Sequence, residues 1–388
     1  MTYAASSNLD SLSLEELRSR PGAKWKYYPS DVLPCWVAEM DYPIAESVKQ
    51  AIHDQVETND LGYLMPEGLP GLREAVAQRL TQRHGMKTAP EDVALLGTTG
   101  SGLGLSVRAF SQPGDEIMLL TPLYPPFRMA VENAQRVPVE VELQNGPDGY
   151  TIDFEAMERA VSEKTSMLML CNPHNPVGRV FTTEELTGLA DFAERHGLTI
   201  VSDDLHSDLL LDGKHVPIAA LDHPAAERTV TLYGPTKAFN IPGLKISFAV
   251  SRDHDMLERM SGAGAGLATP PNILAQAATI GAYRGGDAWL TEVLGYLRNN
   301  RDYLLQRVAR TMPKVKVHKP AATYLAWLDL RAFDLGENPA EALVERAKVG
   351  LNDGATFGAG GQGFVRFNFA TSREILSEAL TRLERVLG

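Results

Sequence analysis

The chain has 388 residues, 44% apolar and 22% charged, with 37 basic against 49 acidic side chains for a formal charge of −12. That length exceeds one ordinary domain and predicts two. The acidic balance argues against a nucleic-acid partner, whose phosphates demand a basic footprint, but leaves small anions open. No apolar run approaches the ~20 residues of a membrane span, and the N-terminal stretch lacks the apolar core of a signal peptide. A cytoplasmic protein with no membrane partner is expected. Cys35 and Cys171 are the two cysteines. They could pair, but buried free thiols in a reducing compartment are the better expectation, and no Cys/His cluster suggests a metal.

From residue 92 onward, strand and helix patterns alternate. DVALLG (92–97) reads as a buried strand and SGLGLSVRAF (101–110) as a helix. DEIMLLTP (115–122) is a strand, FRMAVENA (127–134) a helix, and RVPVEVEL (136–143) strand-like. DFEAMERAV (153–161) is helical and TSMLMLCNP (165–173) a continuous apolar strand. TTEELTGLADFAERH (182–196) is an amphipathic helix opened by a threonine cap. LTIVSDD (198–204), TVTLYGP (229–235) and LKISFAV (244–250) are strands. Continuous apolar strands separated by helices predict an α/β fold, a mostly parallel sheet covered by helices on both faces.

Beyond about residue 285 the rhythm changes. A long helix through WLTEVLGYLRNNRDYLLQRVART precedes three strand-like pieces, VKVHK, TYLAWLDL and FVRFNFA. The helices AEALVERAKV and REILSEALTRLERVL accompany them. The expected division is a large domain over 46–285 and a smaller α+β domain made of 1–45 and 286–388.

In open α/β sheets, ligands bind outside the carboxyl ends of the strands. Those ends here carry Gly97-Thr98-Thr99-Gly100-Ser101-Gly102, then Tyr124, Asn175, Asp203 with Asp204 and His206, and Lys237. Each admits a plain reading. A Gly/Thr-rich turn is often simple geometry, Tyr124 beside two prolines a packing residue, NPHNPVG a turn, Asp203 a cap, Lys237 a surface cation and His206 a core histidine. Together they call for a ligand with a phosphate, an aromatic face, a basic ring nitrogen and a carbonyl open to an amine. Pyridoxal 5′-phosphate has all four.

The ordered set of Gly-rich turn, NPHNPVG, SDDLH, GPTKAFNIPGLK and GFVRFNFA resembles the fold-type I pyridoxal-phosphate enzymes of the aminotransferase class I/II superfamily. LPCWVAEMDYPI, GYLMPEG, TPLYPPF, CNPHNPVGR, TKAFNIPGLK and TYLAWLDLR resemble its cystathionine β-lyase (C–S lyase) branch of the MalY/PatB type. The resemblance implies that Lys237 bonds the cofactor aldehyde and then acts as the base at Cα. It implies that Asp203 pairs with the ring nitrogen, Asn175 and His206 face the ring oxygen, and Tyr124 stacks on the ring. Backbone N–H groups of Thr99 and Gly100, with Thr236 and Lys245, would hold the phosphate. Lys245 stands where relatives have arginine and lacks its fork, and Gly234 replaces a serine. Tyr63 would reach the phosphate from a neighbouring subunit, making a homodimer with a shared site. Arg366 would grip the substrate α-carboxylate.

These residues serve a lyase or an aminotransferase equally, since both begin by removing the Cα proton of an amino acid. The branch-like phrases favour β-elimination from cystathionine or cysteine S-conjugates, giving thiol, pyruvate and ammonia. The alternatives are an aminotransferase or a regulatory protein that retains the cofactor; no additional basic domain supports the last.

Overall fold

Seven strands build the central sheet of this computed structural model, which describes residues 9–265 and 269–388. They are β1 (Val93–Leu96), β2 (Glu116–Thr121), β3 (Val137–Glu142), β4 (Thr165–Cys171), β5 (Thr199–Asp203), β6 (Thr229–Tyr233) and β7 (Ser247–Val250). Their order is β1-β7-β6-β5-β4-β2-β3. Strand β7 is antiparallel to both neighbours, and the other pairs are parallel.

Alternate residues of each inner strand enter separate apolar layers. Met118, Leu120, Leu168, Leu170 and Ile200 pack on one face; Ile117, Leu119, Met167, Met169 and Val201 pack on the other. Burial on both faces is why these strands read as unbroken apolar runs. The edge strand β3 has exposed ends, and its sequence alternates accordingly.

The helices that matter for the site are α1 (Glu46–Glu57), α2 (Leu72–His84), α3 (Thr99–Phe110), α4 (Thr183–His196), α5 (Ile273–Gly285) and α6 (Asp287–Thr311). As expected, Thr182 caps α4, its hydroxyl accepting from Glu185 N while the Glu185 carboxylate accepts from Thr182 N. Helices α1, α2 and α5 have no counterpart in the sequence reading. In α2 the buried set includes Arg79 and His84 as well as Leu72, Val76 and Leu80, which blurs the apolar stripe. Helix α5 is built largely of small apolar residues, and Gly281 lets it close on α1. A Cβ at Gly281 would stand 2.4 Å from the Ser47 carbonyl oxygen.

A second sheet holds β8 (Lys316–Val317), β9 (Leu325–Asp329), β10 (Asn352–Asp353) and β11 (Phe364–Asn368), in the order β8-β9-β11-β10 and all antiparallel. Strand β8 is shorter than VKVHK suggested, and β10 was not foreseen. Helices Pro339–Ala347 and Arg373–Leu387 accompany this sheet. Near the N-terminus, Leu33–Pro34 pairs in parallel with Val349–Gly350, after which the chain runs to the rim of the large sheet. Among the described residues no helix is long and apolar enough to cross a membrane, and no group of three or more His, Cys, Asp or Glu is placed to hold a metal ion.

Candidate active site

The carboxyl ends of β1, β2, β4, β5 and β6 share one rim because these strands run the same way. Strand β7 runs oppositely, so its start brings Lys245 and Ile246 to the same rim. Between them lies a cavity of about 240 Å³ lined by Thr98, Thr99, Gly100, Tyr124, Asn175, Asp203, His206, Thr236, Lys237 and Lys245, with Ala38, Leu103, Pro126, Cys171, Leu205, Pro242 and Ile246 completing the wall.

At one end α3 begins. Thr98 caps it, its hydroxyl accepting from Ser101 N at 3.0 Å, and its carbonyl accepts from Gly102 N at 3.1 Å. The N–H groups of Thr99 and Gly100 are left at the helix start, where the backbone dipole favours an anion. Gly102 lets α3 sit tightly on the sheet: a Cβ there would lie 2.8 Å from Leu96 Cδ1 and 2.9 Å from Leu232 Cδ2. Lys245, at φ 58°, adds a cation to this end.

Lys237 lies deeper. Its Nζ donates to the Ala38 carbonyl at 2.7 Å. Burial disfavours the ammonium, the Arg366 cation adds to that, and Glu39 and Asp203 oppose it; the balance leaves the amine at about 8. Asp203 is pushed up to about 7, first by burial and further by Asp204, against the Leu205 N–H and Lys237. Its Oδ1 accepts from Leu205 N at 3.0 Å. A cation placed beside such a carboxyl favours its ionised form. His206 is held near 3, in the neutral form, by burial and by the cations of Lys237 and Arg366. Its Nδ1 is buried without a partner among the described residues.

Arg366 approaches from the second sheet, where both faces of β11 are buried, and its bond to Asn175 decides the side it occupies. Nη1 donates to Asn175 Oδ1 at 3.0 Å, and Nη2 to Asn352 Oδ1 at 2.8 Å and to the Trp36 carbonyl at 3.2 Å. Its Nε has no partner among the described residues, and burial lowers its pKa to about 10. Two residues along the same strand, Asn368 donates to the carbonyls of Val37 and Glu39, at 2.7 Å each. Tyr324 donates to the Ala38 carbonyl at 3.0 Å, and Asn240 to those of Met40 and Tyr42 at 2.9 Å each. The segment 36–42 is thus strapped across the site by side chains from both sheets, which satisfies its backbone.

Nine of the sequence-predicted residues therefore line one cavity, and Arg366 joins them through its bond to Asn175. Tyr63 does not line the cavity of its own chain and is fully exposed. Sequence reasoning missed Ala38, Tyr324, Asn352 and Asn368. A carbonyl such as Ala38 O has no side-chain signature; the phrase LPCWVAEMDYPI was the available signal.

The donor set fits pyridoxal phosphate. Helix-start N–H groups and Lys245 suit a phosphate, Tyr124 offers a ring face, Asp203 suits a ring N–H, and Lys237 has the amine for an aldehyde. The unpartnered His206 Nδ1 and Arg366 Nε leave polar capacity for a ligand.

Residues 35–383 match the family model described as aminotransferase class I and II. The chain is 34% identical to cystathionine β-lyase PatB of Bacillus subtilis (strain 168), over 96% of this chain and 98% of that protein. It is 35% identical to a cystathionine β-lyase of Corynebacterium glutamicum, over 96% and 99% of the two chains. The crystal structure of cystalysin from Treponema denticola, which contains a pyridoxal 5′-phosphate cofactor, superposes with a TM-score of 0.91 at 28% identity, covering 100% of this chain and 99% of that one.

Proposed function

The chain belongs to the aminotransferase class I and II family, and on that footing we propose that it is a pyridoxal-phosphate-dependent C–S β-lyase. It acts on L-cystathionine or related cysteine S-conjugates: cystathionine and water give homocysteine, pyruvate and ammonia. The observation that carries the reading is the convergence of Lys237, Asp203 and the α3 start on one cavity, with Arg366 bonded to its wall. Near full-length similarity to two cystathionine β-lyases supports the choice of reaction.

When bound, the cofactor supplies an aldehyde that bonds amino groups and a ring that draws off the electron pair left at Cα. The α3 start, Thr236 and Lys245 would anchor the phosphate. Asp203 would pair with the ring nitrogen, Tyr124 would cover the ring face, and Asn175 and His206 would face the ring oxygen. Arg366 holds the substrate carboxylate, fixing which Cα bond faces Lys237. Lys237, with a pKa near 8, is a free amine often enough near neutral pH to take the Cα proton.

The cofactor-binding domain is assigned to 46–285 and the smaller domain to 1–45 plus 286–388; the Leu33–Val349 pairing supports joining the termini. A homodimer is part of the reading. Leu61, Tyr63 and Met65 are 54%, 109% and 74% exposed within five residues, an apolar stretch that a second copy would cover while bringing Tyr63 to the partner's phosphate. The free buried thiols Cys35 and Cys171 suit the cytoplasm.

The deciding experiment incubates purified holoenzyme with cystathionine and, separately, with an amino acid plus 2-oxoglutarate. Pyruvate and free thiol from the first support the proposal. Glutamate from the second, without pyruvate from the first, assigns an aminotransferase instead. Sedimentation at the mass of a single chain would remove the dimer.

A further inference from the structure

Behind the cavity, on the far side of the β5 terminus, lies a buried polar cluster that the proposed chemistry does not use. Asp203 ends β5 and Asp204 follows it, and the two side chains point to opposite sides of the chain. Asp203 lines the cavity. Asp204 is 1% exposed and turns inward, accepting from Ser202 Oγ at 2.5 Å and from His215 Nε2 at 2.9 Å. His215 is equally buried, and its ring meets that of His84 edge-on at 5.4 Å. His84 bonds Asp208 at 3.1 Å. Asp208 also accepts from Arg79 at 2.8 Å and Tyr233 at 2.9 Å, and pairs with Arg83 at 2.7 Å.

The segment after β5 is therefore pegged from behind by two carboxylates, Asp204 and Asp208, while Asp203, Leu205 and His206 face the cavity. The two pegs differ in what they control. Asp208 is held from two elements, by Arg79, Arg83 and His84 of α2 and by Tyr233 of β6. Asp204 sits beside the ring-facing acid and is a like charge to it; what keeps it turned away is Ser202 and His215. Among the described residues the Asp203 carboxylate accepts one hydrogen bond, from Leu205 N.

We propose that His215 is a positioning residue for Asp203: by holding the Asp204 carboxylate on the buried side of the β5 terminus, it keeps that second acid out of the cavity and Asp203 aimed into it. This rests on the pyridoxal-phosphate reading of the site. His215 does not line the cavity; its hydrogen bond is to Asp204, and its other polar neighbour is the His84 ring.

The test measures the Kd of the apoprotein for pyridoxal 5′-phosphate, together with kcat and KM for cystathionine, in wild type, His215→Leu, His215→Gln, Asp203→Asn and the double variant H215L/D203N. His215→Leu removes the donor; His215→Gln keeps an amide N–H near the position of Nε2. We expect H215L to weaken cofactor binding about tenfold, the usual scale for removing a group that orients a ligand-contacting residue. We expect it to lower kcat with KM little changed, and H215Q to recover most of both losses. In the Asp203→Asn background, H215L should add nothing, because the residue it acts through is already altered. Equal losses in both backgrounds, an H215L variant that binds cofactor like wild type, or an H215Q variant as impaired as H215L would overturn the proposal. If H215L fails to fold by circular dichroism, His215→Asn, too short to reach Asp204, carries the same comparison. A wild-type protein that takes up no cofactor overturns the parent reading as well, whereas a coloured wild type with an unaffected H215L overturns this inference alone.

Discussion

The lysine at the centre of the site can be tested without turnover. Lys237 stands at about 8 rather than the ordinary 10.5, so the surroundings disfavour its ammonium by about 3 kcal/mol. At pH 8 about half of the Lys237 side chains are free amine, against roughly 0.3% for an ordinary lysine, a gain of roughly 150-fold in reactive nucleophile. The rate at which apoprotein takes up pyridoxal phosphate covalently should therefore rise with pH and level off above about 8. Stopped-flow absorbance between pH 6 and 10, with borohydride fixation and Lys237→Ala as the control for other lysines, reads this directly. The causes of the shift give it a second handle. Arg366→Gln removes a cation and should move the midpoint up, while Glu39→Gln removes an anion and should move it down. A rate that climbs through pH 10 without a break, or two variants that move the midpoint the same way, would refute the electrostatic argument.

Three further outcomes follow from the geometry. Arg366→Lys should raise KM for the amino-acid substrate by roughly 10–100-fold, the worth of a forked charge-assisted hydrogen bond, while covalent cofactor uptake persists; an unchanged KM in steady-state assays would show that Arg366 does not hold the carboxylate. Asp208→Ala leaves the buried Arg79 with the largely exposed Asp287 as its one acid partner among the described residues, so urea unfolding at pH 7 should show a loss of about 3–5 kcal/mol. In the parent protein burial would raise the Asp208 pKa, but Arg79 and His84 override it and drive it well down; the stability it adds is complete above about pH 4, the unfolded value, and drains as pH falls below that. Gly281→Ala pushes a methyl onto the Ser47 carbonyl and Ala51, and should cost about 1–3 kcal/mol by thermal denaturation.

Much of the fold was legible because burial on both faces leaves a plain mark. Strands β2, β4, β5 and β6 are continuous apolar runs, and the threonine at 182 announces its helix. Helices α1, α2 and α5 escaped because their packing relies on a glycine contact, small apolar residues and a buried Arg79–Asp208 pair, none of which produces a clean stripe. The same holds in the site. Lys237, Asp203, Asn175 and Tyr124 stand at strand ends, where topology alone sends a ligand. Tyr324 and Asn368 act through bonds to a backbone segment hundreds of residues away, and Asn352 accepts from Arg366 on the neighbouring strand, which local pattern cannot register.

By itself, then, the order of residues determined that a covered parallel sheet would form and that an amine, an acid, an amide and a helix start would stand at the ends of its strands, because strand polarity and apolar periodicity are local properties. Tertiary structure alone decided that Arg366 faces inward, that the 36–42 segment crosses the site, and that Asp203 and Lys237 line one cavity with pKa values near 7 and 8. Those outcomes depend on desolvation and on charges brought together from distant parts of the chain, and both come into being only when the two sheets close around one cavity.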